Sequence, residues 1–242
     1  MRLIRSLNIF LRSKKYYFLF FFSCFVWIGL LHYIDKLYQV KKIEVIGVSE
    51  TETFIGISQF ENKYIWVLEE ERISQILDTI NPSYKVAEVR KQYPNSLVII
   101  VHRRYPSAYI EVGNGYLLLS KEGAILQKHR EIEQESVPVI HYYQNIPYAT
   151  FQAGTNIDKK DIRDALYFLE VIKGAKEKVV RIDIAGYHML GLYTDTHEYF
   201  FSSEKNREVQ LYQFEQVLTQ LQIQGSKFKR IDFRFDKPVV IF

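Results

Sequence analysis

The residue types that most often perform catalysis form no recognised pattern in this sequence. None of its six histidines shows H-x-x-x-H or H-E-x-x-H spacing. The single cysteine, Cys24, can form neither an intramolecular disulfide nor a cysteine-based zinc site. The G-x-S-x-G, Walker A and G-x-G-x-x-G motifs are also missing from the sequence. We therefore expect no catalytic residue, no metal and no cofactor.

Two further groups of residues suggest catalysis or ligand binding, but a structural role explains each of them better. The acidic run at residues 69–71 is typical of a solvated helix start, where the helix dipole favours carboxylates. The 18 tyrosines and 17 phenylalanines could stack on a ligand, but many lie at alternating strand positions or in the apolar N-terminal run, which favours a packing role. A glycosidase stays open as an alternative function, because its two catalytic carboxylates can be distant from each other in sequence.

Charge is concentrated at the N-terminus. The formal charge is +4, yet residues 1–15 alone contain five basic residues and no acidic one, so the remaining chain carries −1. A nucleic-acid-binding domain needs a basic face, and this distribution does not favour one. With 48% hydrophobic residues in 242, the chain is expected to form one or two folded domains.

An apolar segment follows the basic tail. Residues 16–34 carry no formal charge, and a helix of that length nearly spans a hydrocarbon core of about 30 Å. The basic tail, residues 1–15, is expected in the cytoplasm by the positive-inside rule, which puts the chain after Asp35 outside. A cleaved signal peptide is the alternative, although the following HYIDKLYQVKK offers no small-x-small cleavage pattern.

The next part of the chain predicts the element order β-α-α-β-β. Thr51 is a plausible N-cap for a short helix, and apolar residues of the next helix recur at helical spacing. A proline and an asparagine separate the last two strands, which are close enough to form a hairpin. The predicted elements are a strand at 42–48, helices at 54–57 and 69–80, and strands at 86–92 and 97–101.

Past Pro106 the sequence predicts mostly strands with two helices. Asp158 is a plausible N-cap for the first helix, and residues 127–136 are polar and expected to form a loop. Apolar residues alternate in the strands and recur at i+3 and i+4 in the helices. The strands are expected near 109–112, 116–119, 124–126, 137–143, 180–184, 190–194 and 199–201, and the helices near 158–174 and 207–222.

The C-terminal strand is the most informative. Ile231, Phe233 and Phe235 alternate with charged residues, so we expect one buried and one solvated face. Pro238 lacks the N–H that a central ladder position needs, which favours a sheet edge or a bulge. The apolar end at residues 239–242 is then either an aggregation hazard or a docking strip.

Five stretches form a recognisable series along the chain: IEVIG at 43–47, VAEVRKQYPNSLVIIV at 86–101, RYPSA at 104–108, the turn at 115–123 and IDFRF at 231–235. Together they resemble the bacterial cell-division protein family FtsQ/DivIB. Arg103 and Ser120 depart from the family pattern, which usually has Glu and Asp at these places.

The resemblance implies an α+β protein with a transmembrane helix at 16–34, a POTRA domain at 40–105 and a larger, mostly antiparallel β domain at 106–242. It implies a non-enzymatic scaffold that links early and late division proteins. Its location would be the cytoplasmic membrane at the division septum. The implied partners are the membrane-spanning division proteins FtsB and FtsL, with no nucleic acid and no small-molecule substrate.

The sequence also suggests how partners bind. Residues 231–242 are expected to accept a partner strand by β-augmentation. The family resemblance implies that Arg234 and Phe235 lie in that partner surface. Arg234 would bind a carboxylate, Phe235 and Val239 would contribute apolar surface, and the adjoining helix from about Tyr212 to Leu221 would complete the site. An ordinary last strand closing a domain stays open as an alternative. So do two other functions, a POTRA-type envelope assembly or secretion factor and a membrane-anchored envelope enzyme.

Overall fold

A computed structural model describes residues 20–30, 33–49 and 53–242. The first helix, α1 (Phe20–Leu37), is apolar, is not buried by the rest of the protein, and is long enough to cross a membrane. It continues past Ile34, where the predicted span ends. The predicted basic tail at 1–15 and the first part of the predicted span, 16–19, lie outside the described residues.

The first compact unit comprises the residues up to Leu77 together with Val86–Val101. Its three-stranded sheet has the order β1-β3-β2, with β1 parallel to β3. The second predicted helix and the hairpin are confirmed. The elements that build this part of the chain are β1 (Lys42–Ile46), a 3₁₀ turn (Ser58–Phe60), α2 (Glu70–Ile80), β2 (Tyr84–Gln92) and β3 (Ser96–Arg103).

The predicted first helix of this unit is wrong where the structure describes it. Its proposed cap, Thr51, lies outside the described residues, and residues 54–57 are not helical. Gly56 adopts φ +85°, which is incompatible with a right-handed helix, so helical backbone begins only with the single 3₁₀ turn at Ser58–Phe60.

The second unit contains a nine-stranded mixed sheet of order β12-β11-β10-β9-β8-β7-β4-β5-β6. Helix α3 packs on β8 and β9, and the apolar core lies where the two helices and the sheet meet. The elements are β4 (Pro106–Val112), β5 (Gly115–Ser120), β6 (Ile125–His129), β7 (Val139–Tyr142), α3 (Lys160–Gly174), β8 (Val179–Gly186), β9 (Met189–Thr194), β10 (Glu198–Phe201), α4 (Arg207–Gln224), β11 (Arg230–Asp232) and β12 (Val239–Ile241).

The two helix starts differ in their caps. Lys159 occupies the N-cap position of α3 and makes no side-chain cap bond, so the predicted cap, Asp158, is wrong; its carboxylate instead accepts a bond from Arg163 at 2.5 Å. At α4, Asn206 Oδ1 accepts the N–H groups of Glu208 (2.7 Å) and Val209 (3.3 Å). Of these two helices, α4 therefore begins with a side-chain cap and α3 does not.

Strand β6 is longer than predicted. Residues 127–129 were expected to open a polar loop, but they pair with β5 in the register Tyr116↔His129. His129 is buried, and Lys128 donates to the carbonyl oxygens of Tyr148 and Phe151 at 2.7 Å each. Polar side chains at this sheet edge therefore find partners that the sequence pattern does not reveal.

Candidate functional site at the C-terminal sheet edge

The last thirteen residues, 230–242, contain two short strands joined by a loop, which corrects the prediction of one continuous strand over residues 231–242. Strand β11 runs parallel to β10, and β12 returns antiparallel to β11 at the end of the nine-stranded sheet. The chain turns after β11 because the Asp232 carboxylate accepts the backbone N–H of Arg234 at 3.1 Å. Pro238 directly precedes β12, at the edge position that its missing N–H favours.

The two phenylalanines of this segment have opposite environments. Phe233 is fully buried and stacks on Phe201 at 5.0 Å, with Phe214 at 5.8 Å. Phe235 is 55% exposed, so its predicted place on the same buried face is wrong. The strand ends at Asp232, and the alternation of side chains that the prediction required does not continue into the loop.

Strand β12 exposes apolar side chains to solvent. Val240 packs against the core, whereas Val239, Ile241 and Phe242 are 45%, 44% and 75% exposed. Among the described residues no strand pairs with the outer side of β12. Because backbone groups of a strand point alternately to its two neighbours, the outward-pointing groups can pair with an added strand.

The loop at residues 233–238 is tied to the elements beside it. Lys205 Nζ donates to the carbonyl oxygens of Phe233 (3.2 Å) and Phe235 (2.6 Å). The side-chain amide of Gln213 donates to the carbonyl oxygen of Asp236 at 2.9 Å. This bond places this part of α4 next to the loop, and Tyr212, the residue before Gln213, is 62% exposed.

Arg234 already has a carboxylate partner within its own chain. Its Nε lies 2.9 Å from Asp232 Oδ1 and its Nη2 lies 2.5 Å from Asp232 Oδ2. This hydrogen bonding raises the pKa of Arg234 above its ordinary value. The guanidinium also lies over the rings of Phe200 (5.2 Å) and Phe235 (5.8 Å). In this structure Arg234 shapes the loop, and its contact with a partner stays a prediction.

A second charged pair borders the edge and was missed from the sequence. Arg230 Nε and Nη2 donate to Glu198 Oε2 at 2.7 and 2.6 Å, and the guanidinium lies 5.0 Å from the ring centre of Phe200. The pair forms because parallel β10 and β11 place Glu198 opposite Arg230. The sequence gives no sign of this ion pair, because 32 positions separate the two residues, and only the pairing of the two strands reveals it.

A cluster of ionisable residues deeper in the same unit has a structural role. The Tyr199 hydroxyl donates to Glu177 Oε1 at 2.7 Å, and His197 Nδ1 lies 3.1 Å from Glu177 Oε2. Burial, and then the bond to Glu177, raises the pKa of Tyr199 above its ordinary value. Tyr199 is only 1% exposed, so its neutral hydroxyl joins β10 to the connection after α3 rather than facing a substrate.

A cleft of the second unit contains a paired charge. This cleft of about 540 Å³ includes Glu170, which accepts bonds from Ser107 (2.7 Å) and Lys173 (2.9 Å). Burial alone would raise the pKa of Glu170, but these bonds lower it below its ordinary value. Glu170 is therefore held as a charged partner. In the part of the chain that the structure describes, no group of three or more residues could hold a metal ion.

Comparison with known proteins supports the resemblance drawn from the sequence motifs. The chain is 27% identical over 156 residues to the cell division protein DivIB of Clostridium botulinum. The matched region covers 63% of this chain and 59% of that relative, so it spans less than two thirds of the relative's length. No protein-family model matches the chain. The similarity to DivIB confirms the predicted resemblance to the FtsQ/DivIB family.

Proposed function

We propose that this chain is a non-enzymatic scaffold of bacterial cell division, anchored in the cytoplasmic membrane by α1. The similarity to DivIB supports the division role. The apolar, unburied helix α1, preceded by five basic residues within 1–15, supports an anchor with a cytoplasmic N-terminus. In this proposal residues 40–105 serve as a POTRA module and residues 106–242 as the partner-binding β domain at the septum.

The proposed mechanism is β-augmentation at β12. The single observation that carries it is the position of β12 at the open end of the nine-stranded sheet, with Val239 and Ile241 exposed. An added strand would pair with the β12 backbone, and its side chains would meet apolar surface from Val239, Phe235 and Tyr212. Arg234 would set the shape of the loop beside that strand.

The division role is tested by the position of the protein in cells. A fluorescent fusion of the full chain in its native bacterium should accumulate at midcell during constriction. A fusion that stays evenly distributed around the membrane would contradict the division role. Protease digestion of spheroplasts tests the anchor separately, because the chain after Asp35 should be degraded in intact spheroplasts.

The β-augmentation mechanism is tested with partners of the FtsB and FtsL type. A chain that ends at Pro238 lacks β12 and should lose capture of these partners in a pull-down from membranes. Phe235→Ala should weaken capture, whereas Tyr187→Ala, which removes another exposed aromatic ring in the same unit, should not. Full capture by the shortened chain, with circular dichroism showing an intact fold, would disprove the mechanism.

A further inference from the structure

Four aromatic residues meet directly after α1 in the first unit. The ring of Trp66 stacks on Tyr64 at 5.2 Å with an interplanar angle of 9°, and it lies 5.2 Å from Tyr38. Tyr38 also contacts Tyr93 at 6.5 Å. We call Tyr38, Tyr64, Trp66 and Tyr93 the juxtamembrane aromatic cluster.

Backbone hydrogen bonds attach this cluster to the end of α1. Tyr38 directly follows the helix, and its carbonyl accepts the N–H of Ile65 at 3.0 Å. The N–H of Val40 donates to the carbonyl of Lys63 at 2.9 Å. Lys41 donates to the carbonyl of Asn95, close to Tyr93, at 2.9 Å. The cluster therefore stays next to the residue at which the helix ends.

The cluster exposes much of its apolar surface. Trp66 and Tyr93 are 48% and 62% exposed, and the neighbouring Val67 is 66% exposed. Exposed apolar side chains that lie side by side, rather than singly, can form a contact surface. Trp and Tyr combine an apolar ring with a polar N–H or O–H, and both are enriched at the boundary between lipid and water.

We propose that the juxtamembrane aromatic cluster lies in the headgroup region of the same bilayer that α1 crosses. This inference rests on the membrane anchor of the proposed function. The bilayer is the favoured occupant because Tyr38 leaves the helix end and directly contacts Trp66, so the tether holds the cluster at the lipid surface. The first unit then has two attachments to the membrane, the helix and the aromatic surface.

The charges around the cluster indicate which lipids are needed. Within three positions of its four residues the sequence has a net charge of +2, from Lys36, Lys41, Lys63, Arg90 and Lys91 against Asp35, Glu61 and Glu69. This excess is small, and we assign the contact to the aromatic rings rather than to anionic lipid. Vesicles of zwitterionic phosphatidylcholine should be sufficient to observe it.

The chain contains two tryptophans, which allows the helix and the cluster to be followed separately. The full-length Trp27→Phe variant leaves Trp66 as the single tryptophan, and Trp66→Phe leaves Trp27. Each is reconstituted in phosphatidylcholine whose acyl chains carry bromine either near the headgroup or near the chain end. Trp66 emission should be lost mainly with the shallow bromines, and Trp27 emission mainly with the deep ones.

A third variant provides the matched control. Ile46 is 47% exposed at the far end of β1, about 13 Å along the strand from Lys42. Ile46→Trp in a chain that also carries Trp27→Phe and Trp66→Phe should keep its emission with both lipids.

The outcomes separate the inference from the anchor on which it rests. Quenching of Trp27 without quenching of Trp66 would overturn the proposed contact and keep the anchor. If neither Trp27 nor Trp66 emission is quenched, both the proposed contact and the membrane anchor are overturned. Equal quenching of Trp66 and Ile46→Trp would also overturn the contact, because it would show no specific role for the cluster.

Discussion

The two edge strands of the nine-stranded sheet, β6 and β12, have opposite environments. At the β6 end, Ile125 donates to the carbonyl of Thr155 and accepts from the N–H of Gly154, both at 2.9 Å. Ala124 forms a further antiparallel bridge with Asn156. At the β12 end, within the residues that the structure describes, no strand lies beyond Val239–Ile241.

This difference identifies β12 as the more informative edge. Unpaired strand edges invite association, and proteins usually cover them with loops, charges or bulges. The chain covers the start of β6, at Ile125, in this way, yet it places exposed apolar side chains along β12. A sheet that protects one edge and leaves the other apolar and open is suited to accept a strand at the open edge.

The largest expected effect comes from the support beneath the open edge. Phe233→Ala removes a fully buried ring that stacks on Phe201, and should lower the free energy of unfolding by about 3–5 kcal/mol. Phe235→Ala, at an exposed ring, should change it by about 0.5 kcal/mol or less. Urea unfolding of the full chain in detergent, followed by circular dichroism, measures both. Equal effects would show that the two rings do not differ in burial.

A smaller effect is expected at β10, two strands from the open edge. Tyr199→Phe removes the hydrogen bond to charged Glu177 and should cost about 1.5–3 kcal/mol at neutral pH. Folding raises the pKa of Tyr199, so its stabilising contribution is complete below about pH 10 and is lost as the pH rises further.

The unfolding free energy of the unchanged protein should therefore fall in alkali, and that of Tyr199→Phe should fall less steeply. Tyr187→Phe, at a 48% exposed ring, serves as the control. Identical alkaline slopes for the unchanged protein and Tyr199→Phe would contradict this assignment.

The cover of β6 is tested at Gly154. Its φ of +88° disfavours any side chain, and an added Cβ would collide with the carbonyl of Thr79. Gly154→Ala should cost about 1–2 kcal/mol and speed amide hydrogen exchange at Ile125 and Gly154. Gly174→Ala, where no atom lies within 4 Å of the added Cβ, should leave exchange at β6 unchanged. Unchanged exchange in both variants would mean that the cover does not depend on this turn.

The smallest effect on stability should accompany a loss of binding. Ile241→Lys places a charge on the exposed face of β12 and should change the free energy of unfolding by about 0.5 kcal/mol or less. It should nevertheless reduce partner capture, because edge lysines oppose strand addition. Val180→Lys changes a 41% exposed residue in β8, inside the sheet, and should not reduce capture. Equal capture of partners by both variants would show that β12 is not part of the binding surface.

The predictable parts of the candidate site are those encoded by local pattern. Pro238 and the apolar residues after it indicated an edge strand, and alternation correctly placed Ile231 and Phe233 in the core. Phe235 was misplaced because alternation holds only while the strand continues. The strand stops where Asp232 binds Arg234, and a pattern of apolar residues does not report such a bond.

By itself, the sequence determined where apolar surface must be removed from water, and hence the apolar helix and most strands and helices. It could do so because buried side chains recur with the period of the local backbone, about every 3.6 residues in a helix and every second residue in a strand. Tertiary structure alone decided which strand ends the sheet, that Arg230 meets Glu198, and that Tyr38 joins Trp66 and Tyr93. These contacts depend on strand order and register, which join residues far apart in the chain and leave no periodic signal in it.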